Sequence, residues 1–204
     1  MNELQMEKVL NINTTGEQRG FMTSLHYHRY EPTPYSALEL FFKEYNLTSH
    51  DHVVDFGCGK GRLNFYLNHH FNTNVVGVEM NEAFYMEALE NKQSYLKNYR
   101  NRADRINFYC VLAEEYEISP DENKFYFFNP FAVQILTNVV KNIMISFEKN
   151  QREIDLILYY PSEDYIFYLE KLTPFELVYE MNLPENNPNE RFLVYRLEPF
   201  EQKE

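Results

Sequence analysis

Apolar residues follow two periods along this chain. Short runs at His52–Phe56, Asn74–Glu79, 106–112, 124–128 and 154–160 are too brief for helices and predict buried strands. Between them apolar positions recur at helical spacing. Leu38, Phe41 or Phe42, and Tyr45 mark a helix over 34–45, with a further helix over about 61–70. Met86, Leu89, Leu96 and Tyr99 mark the buried face of a long helix from the N-cap Asn81 to about residue 100, and Leu136, Val140, Ile143 and Phe147 mark one over 131–149. A short helix, Glu163–Leu172, precedes two more strands, 175–181 and Arg191–Leu197. Alternating strands and helices predict an α/β domain with a parallel sheet. The last two strands are joined without a helix, and a parallel return needs a crossover, so they form an antiparallel hairpin. Residues 1–33 are polar, carry turn signals at Gly16 and Gly20, and read as an N-terminal arm or lid before a domain over 34–204.

Composition narrows the functional classes. At 204 residues one domain is expected, and 17 Tyr and 17 Phe without Trp predict an aromatic core with some polar ring tips at a pocket. A formal net charge of -12 repels polyphosphate, which argues against long nucleic acids and anionic membranes. The run Lys92, Lys97, Arg100, Arg102 and Arg105 reads as a solvated helix face. Cys58 and Cys110 have neither disulfide nor zinc spacing, and His50, His52, His69 and His70 lack partners for a metal site. No leader or membrane-length apolar run is present, so a cytoplasmic protein is expected.

Three of the six glycines, Gly57, Gly59 and Gly61, fall within five residues directly after the first strand. Glycine serves where a backbone takes positive φ or lets another group approach, and strand, glycine turn and helix in series build a nucleotide pocket. A dinucleotide fingerprint needs its third glycine where Arg62 stands; in this chain it comes one residue early. Asp55 opposes a pyrophosphate but favours a ligand bearing an ammonium group, so a sulfonium cofactor is preferred over a dinucleotide. Glu79, ending the second strand, is placed to accept hydrogen bonds from ribose hydroxyls in either case.

Val53-Val54-Asp55-Phe56-Gly57-Cys58-Gly59-Lys60-Gly61, followed by Val75-Val76-Gly77-Val78-Glu79, resembles the class I S-adenosylmethionine-dependent methyltransferase superfamily, over roughly residues 30–200. The resemblance implies a Rossmann-like, seven-stranded, mostly parallel sheet with a C-terminal antiparallel hairpin and helices on both faces. It also implies S-adenosylmethionine as cofactor, with its methionine portion at Asp55, Gly57, Cys58, Gly59 and Gly61 and its ribose on Glu79. Tyr30-Glu31-Pro32-Thr33-Pro34 is similar to an element that closes over the cofactor in some members, which adds Tyr30 and Thr33 to the expected contacts. Where many members place an Asp for the adenine amino group this chain has Leu112, leaving Glu114 or the backbone of Ala113 as the substitute.

Asn129-Pro130-Phe131 is similar to the Asn-Pro-Pro-aromatic motif of amino-group methyltransferases, with the second proline missing. That resemblance implies catalytic contacts from Asn129, a backbone carbonyl and the Phe131 ring. The same Asn-Pro pair also suits the N-cap and first position of a helix. An oxygen acceptor needs a base, for which His26, His28 and Glu31 are available. The expected function is methyl transfer by in-line attack of a substrate nitrogen or oxygen, on a small molecule or a protein side chain, with Tyr27, Tyr30, Tyr35 and Phe131 as walls. A non-catalytic cofactor-binding sensor is the alternative.

Overall fold

The computed structural model describes residues 2–15, 31–184, 187 and 189–200. Helix α1 (Glu3–Leu10) opens the chain, followed by α2 (Tyr35–Glu44), β1 (His52–Phe56), α3 (Arg62–Phe71), β2 (Asn74–Glu79), α4 (Glu82–Asn98), β3 (Ile106–Cys110), β4 (Lys124–Phe127), α5 (Val133–Lys149), β5 (Ile154–Tyr159), α6 (Glu163–Leu172), β6 (Glu176–Asn182) and β7 (Arg191–Leu197). The strands form one sheet in the order β3-β2-β1-β4-β5-β7-β6. Strands β1 to β5 are parallel, and β7 runs antiparallel between β5 and β6. The expected fold, including its terminal hairpin, is the one observed.

Strand alternation divides the core into two layers. Val53, Val75 and Tyr126 meet α1 to α4, whereas Val54, Phe56, Val78, Phe125 and Phe127 meet α5 and α6. The aromatic surplus fills both layers. Phe41 stacks on Phe192 at 4.3 Å and on Tyr45 at 5.0 Å, and Phe56 stacks on Phe127 at 5.3 Å. Far from the glycine loop, fully buried Asp155 joins three strands: it meets Lys124 of β4 at 2.9 Å and Arg196 of β7 at 2.7 Å and 2.9 Å. Burial alone raises its carboxyl pKa, but the Arg196 hydrogen bonds and the Lys124 charge outweigh it and keep the group below the usual range.

Two expectations need correction. The N-terminal arm begins with a docked helix, because Met6 and Leu10 of α1 are buried in the core. The buried face of α4 is Ala88, Asn91 and Tyr95, with Leu89, Leu96 and Tyr99 flanking it, while Met86 is 49% exposed. The face is set by polar work as well as packing. Asn91 donates to the carbonyls of Lys60 and Asn13, both at 3.1 Å, and so ties the N-terminal segment to the glycine loop. The basic run is partly structural too: Arg102 donates to the carbonyls of Asn68 and His69, and Arg105 to that of Asn72 at 2.9 Å, which caps the end of α3.

A buried ion pair explains why α1 docks. Arg62, the first residue of α3, is 5% exposed and lies between Glu3 and Glu7 of α1. Glu7 also accepts from the Tyr35 hydroxyl at 2.7 Å and the Thr14 amide at 2.6 Å. Removing one partner of a buried pair leaves the other uncompensated. Glu7→Ala is therefore expected to lower stability by roughly 3–5 kcal/mol, read from urea unfolding, and Glu3→Ala, at the exposed end of the network, by far less.

Candidate functional site

Strand β1 delivers Asp55 to the C-terminal end of the sheet, where Gly57, Gly59 and Gly61 take φ values of 79°, 53° and 85°. Space is a second requirement at the first of them. A Cβ on Gly57 would stand 2.7 Å from the Cβ of Pro130, so the loop packs directly on the segment that follows β4. The amides of Gly57 and Cys58 donate to the Val78 carbonyl at 2.8 Å and 3.2 Å. The Cys58 sulfur fills the space over Gly77, and burial pushes its thiol pKa well up. It is inert packing, which leaves its backbone as the part able to meet a ligand.

Asp55, one residue before the end of β1, and Glu79, which ends β2, lie on neighbouring strands, and both are buried. Glu79 accepts from the amides of Gly59 and Asn81 at 2.9 Å and 2.8 Å; burial raises its pKa, and these amides pull it back. Asp55 has no such relief among the described residues. Burial first, and the charge of Glu79 second, push it up to about 8. Two desolvated carboxyl groups on neighbouring strands are complementary to a cation. Among the described residues no group of His, Cys, Asp and Glu could hold a metal ion.

The other expected cofactor contacts lie on separate segments. Thr33 is buried, shares a 2.8 Å hydrogen bond with Tyr126, the register partner of Asp55 on β4, and accepts from Arg62 at 3.3 Å through its carbonyl. After β3, Ala113 is buried in a short turn, and one carboxylate oxygen of Glu114 is buried with no hydrogen-bond partner among the described residues. Tyr30 lies outside the described residues, as do His26, Tyr27 and His28; Glu31 is exposed.

The segment after β4 takes a form that local sequence does not announce. Asn129 has φ 38°, while α5 begins only at Val133 with Ala132 as its N-cap, so Asn129 caps no helix. Tyr160, directly after β5, has φ 53°. The two remaining non-glycine residues of positive φ among the described residues, Asn11 and Asn72, are helix C-caps. Asn129 and Tyr160 thus stand apart as strained positions beyond two adjacent strands, the kind of feature that gathers at functional sites. Phe131 is 2% exposed and packs edge-on against Phe127, and Tyr35 is fully buried, so both rings belong to the core. Two other aromatics line this end of the sheet: half-buried Phe128, 4.6 Å from Tyr159, and Tyr160, whose hydroxyl accepts from Asn187 at 2.7 Å. Their only sequence signal is that each closes an aromatic strand.

Residues 35–157 match a protein family described as a methyltransferase domain. The chain belongs to this family. The methyltransferase is similar in structure to an RNA methyltransferase from Salinibacter ruber in complex with S-adenosyl-L-homocysteine, with a TM-score of 0.55 and 17% identity over 85% of this chain and 97% of that one. A putative rRNA-methylase from Clostridium thermocellum has a TM-score of 0.55 at 15% identity, over 79% of this chain and 93% of its own. An uncharacterized protein from Listeria monocytogenes serotype 4b reaches 0.56 at 11%, over 81% and 67%. At such identities the likeness is one of fold. No curated protein matches the sequence.

The raised Asp55 sets a pH dependence for this methyltransferase. From about pH 4 to about pH 8 the unfolded chain has lost the Asp55 proton while the folded chain retains it, so this group lowers stability as pH rises, with no further change above its folded value. Asp55→Asn removes that loss. The cofactor-free variant is expected to exceed the parent by roughly 1–3 kcal/mol at pH 8 and to match it near pH 4, in urea unfolding at each pH.

Proposed function

We propose that this methyltransferase binds S-adenosylmethionine at the C-terminal ends of β1 and β2 and methylates a nitrogen or oxygen of a small molecule or a protein side chain. The observation that carries the reading is the pair of buried carboxylates beside the glycine loop, one of them relieved by no hydrogen bond among the described residues. The donor set fits the cofactor: Asp55 suits a cationic amino-acid end, Glu79 a ribose diol, the open glycine backbone a close-packed chain, and the buried Glu114 oxygen or Ala113 backbone an adenine amino group. When bound, S-adenosylmethionine supplies an electrophilic methyl on a sulfonium. The residues of the chain contribute position, which can supply much of a barrier reduction when the reacting groups are held in line.

Asn129 and the Pro130 carbonyl are the proposed acceptor contacts, with Phe128 and Tyr160 as walls. Support comes from the strained backbones of Asn129 and Tyr160 and from the contact of Pro130 with Gly57, which brings acceptor and cofactor segments together. Phe131 contributes through its buried ring, which anchors the segment from behind, and its carbonyl, which accepts from Tyr165. A cytoplasmic location is proposed on the two free cysteines; no described helix is long and apolar enough to cross a membrane. The net charge of -12 favours a compact acceptor over a long nucleic acid.

Calorimetry is expected to show S-adenosylmethionine or S-adenosylhomocysteine binding, weakened at least about 10-fold by Glu79→Ala; tight NADH binding instead would overturn the cofactor assignment. Asn129→Gly separates chemistry from folding. Glycine accepts φ 38° without strain, so the variant is expected to melt at or above the parent temperature, with cofactor affinity unchanged and transfer of labelled methyl in cell extract reduced about 100-fold. A parent protein that binds the cofactor but transfers no label would be a sensor.

A further inference from the structure

The sheet face that carries α5 and α6 is covered unevenly. Helix α5 packs over β1, β4 and β5, whereas β3 returns to β4 through a connection whose only helical piece is the three-residue turn Ala113–Glu115. Sheets of this kind ordinarily bury both faces. The uncovered part leaves Val76 of β2 half-buried and Tyr109 of β3 47% exposed. Between them lies a cleft of about 600 Å³. The Tyr109 and Tyr116 rings line it 5.6 Å apart, and Tyr116 rests edge-on against Phe56 of the core at 6.0 Å. The cleft runs from His52 and Asn74, at the start of their strands, to Cys110 and Val111 at the end of β3. Its length is therefore about 16 Å at a strand rise of ~3.3 Å per residue, enough for about five residues of extended chain.

Charge selects what fits. Asp104, Glu115, Glu117, Asp121 and Glu122 line the cleft, with Arg105 among its described lining residues; behind them Arg152 donates to the Glu122 carbonyl at 2.8 Å and sets its charge beside Asp121 and Glu122. Arg105 already donates to the Asn72 carbonyl, and Glu122 is engaged by the Tyr116 hydroxyl and the Ser119 amide. Glu115, Glu117 and Asp121 are exposed and border the two rings. We propose that this cleft docks an extended basic peptide segment of a partner protein, with an Arg or Lys side chain over the tyrosine rings and its neighbours against the three exposed carboxylates. Ring faces attract a guanidinium or ammonium group, the acidic rim repels a polyanion, and the length exceeds what a small cation would occupy. Its end at Val111 and Glu115 flanks the proposed adenine contacts Ala113 and Glu114, while the docking does not depend on what the methyl acceptor is.

The test uses the full chain and a fluorescein-labelled nine-residue peptide of alternating Arg and Ser, with a Glu and Ser peptide as its opposite. Anisotropy is expected to show saturable binding of the Arg peptide alone, and amide chemical shifts to move around Val76, Tyr109 and Tyr116. Glu117→Lys with Asp121→Lys is expected to weaken binding at least about 10-fold, Tyr109→Ala about 3-fold or more, and the distant pair Glu148→Lys with Glu176→Lys less than about 2-fold. Matching melting temperatures confirm that the variants fold, and if the ring variant does not, the charge pair decides. Equal weakening by the distant pair would reduce the effect to net charge and overturn the proposal. Shifts centred elsewhere, tighter binding of an RNA oligonucleotide, or sedimentation showing that the cleft closes a dimer of this chain would overturn it too.

Discussion

The burial of two carboxylates at the ends of adjacent strands is the constraint around which this protein is arranged. An ionised carboxylate out of water is expensive, and a second one beside it compounds the expense. Glu79 is made tolerable by backbone amides of the loop and the α4 terminus; Asp55 is left under strain. The rest of the molecule supplies the stability that lets this strain persist. Two aromatic-rich layers enclose the sheet, and the ion cluster around Asp155 secures the opposite ends of its strands. A cationic ligand beside Asp55, as proposed, would settle the imbalance and set affinity against folding stability there.

The glycine loop is supported from behind. Arg62 links its exit to α1 and to the Thr33 carbonyl, Asn91 links Lys60 to Asn13, and Lys60 pairs with Glu87 of α4 at 2.8 Å. These ties fix a backbone that must take positive φ three times within five residues. On the other side Pro130 packs against Gly57, which couples the glycine loop to the segment after β4. Methyl transfer depends on the relative placement of two reactants, and under the proposed assignment this contact would help to set it.

Much of the framework was legible because it is encoded locally. The bounds of β1 and β2 and the cap at Asn81, which accepts from Ala83 and Phe84, follow from short-range pattern and hydrogen bonding. The hairpin followed from loop length. What was not legible depends on distant partners. Glu3 and Glu7 look like solvated charges until Arg62, more than fifty residues on, comes to lie between them. Met86 has the hydropathy for the buried face of α4, but polar Asn91 takes that face because two carbonyls await it. Asn-Pro at 129–130 suits a helix cap equally well, and only the later start of α5 decides against it. Phe131 and Tyr35, two of the expected walls, are core residues because their rings face the packed layers.

The insertion of β7 between β5 and β6 has a temporal consequence during synthesis. Chains emerge from the N-terminus and tend to fold in that order, yet β5 borders a strand that lies more than thirty residues downstream. Until Arg196 emerges, Asp155 has Lys124 but lacks the guanidinium that matches both its oxygens, and β5 presents an open hydrogen-bonding edge. The five-stranded intermediate that the first 160 residues can form is thus both electrostatically incomplete and sticky. Strand β7 closes that edge and balances the charge in one step, which makes the emergence of Arg191–Leu197 the event that commits the sheet to its final order.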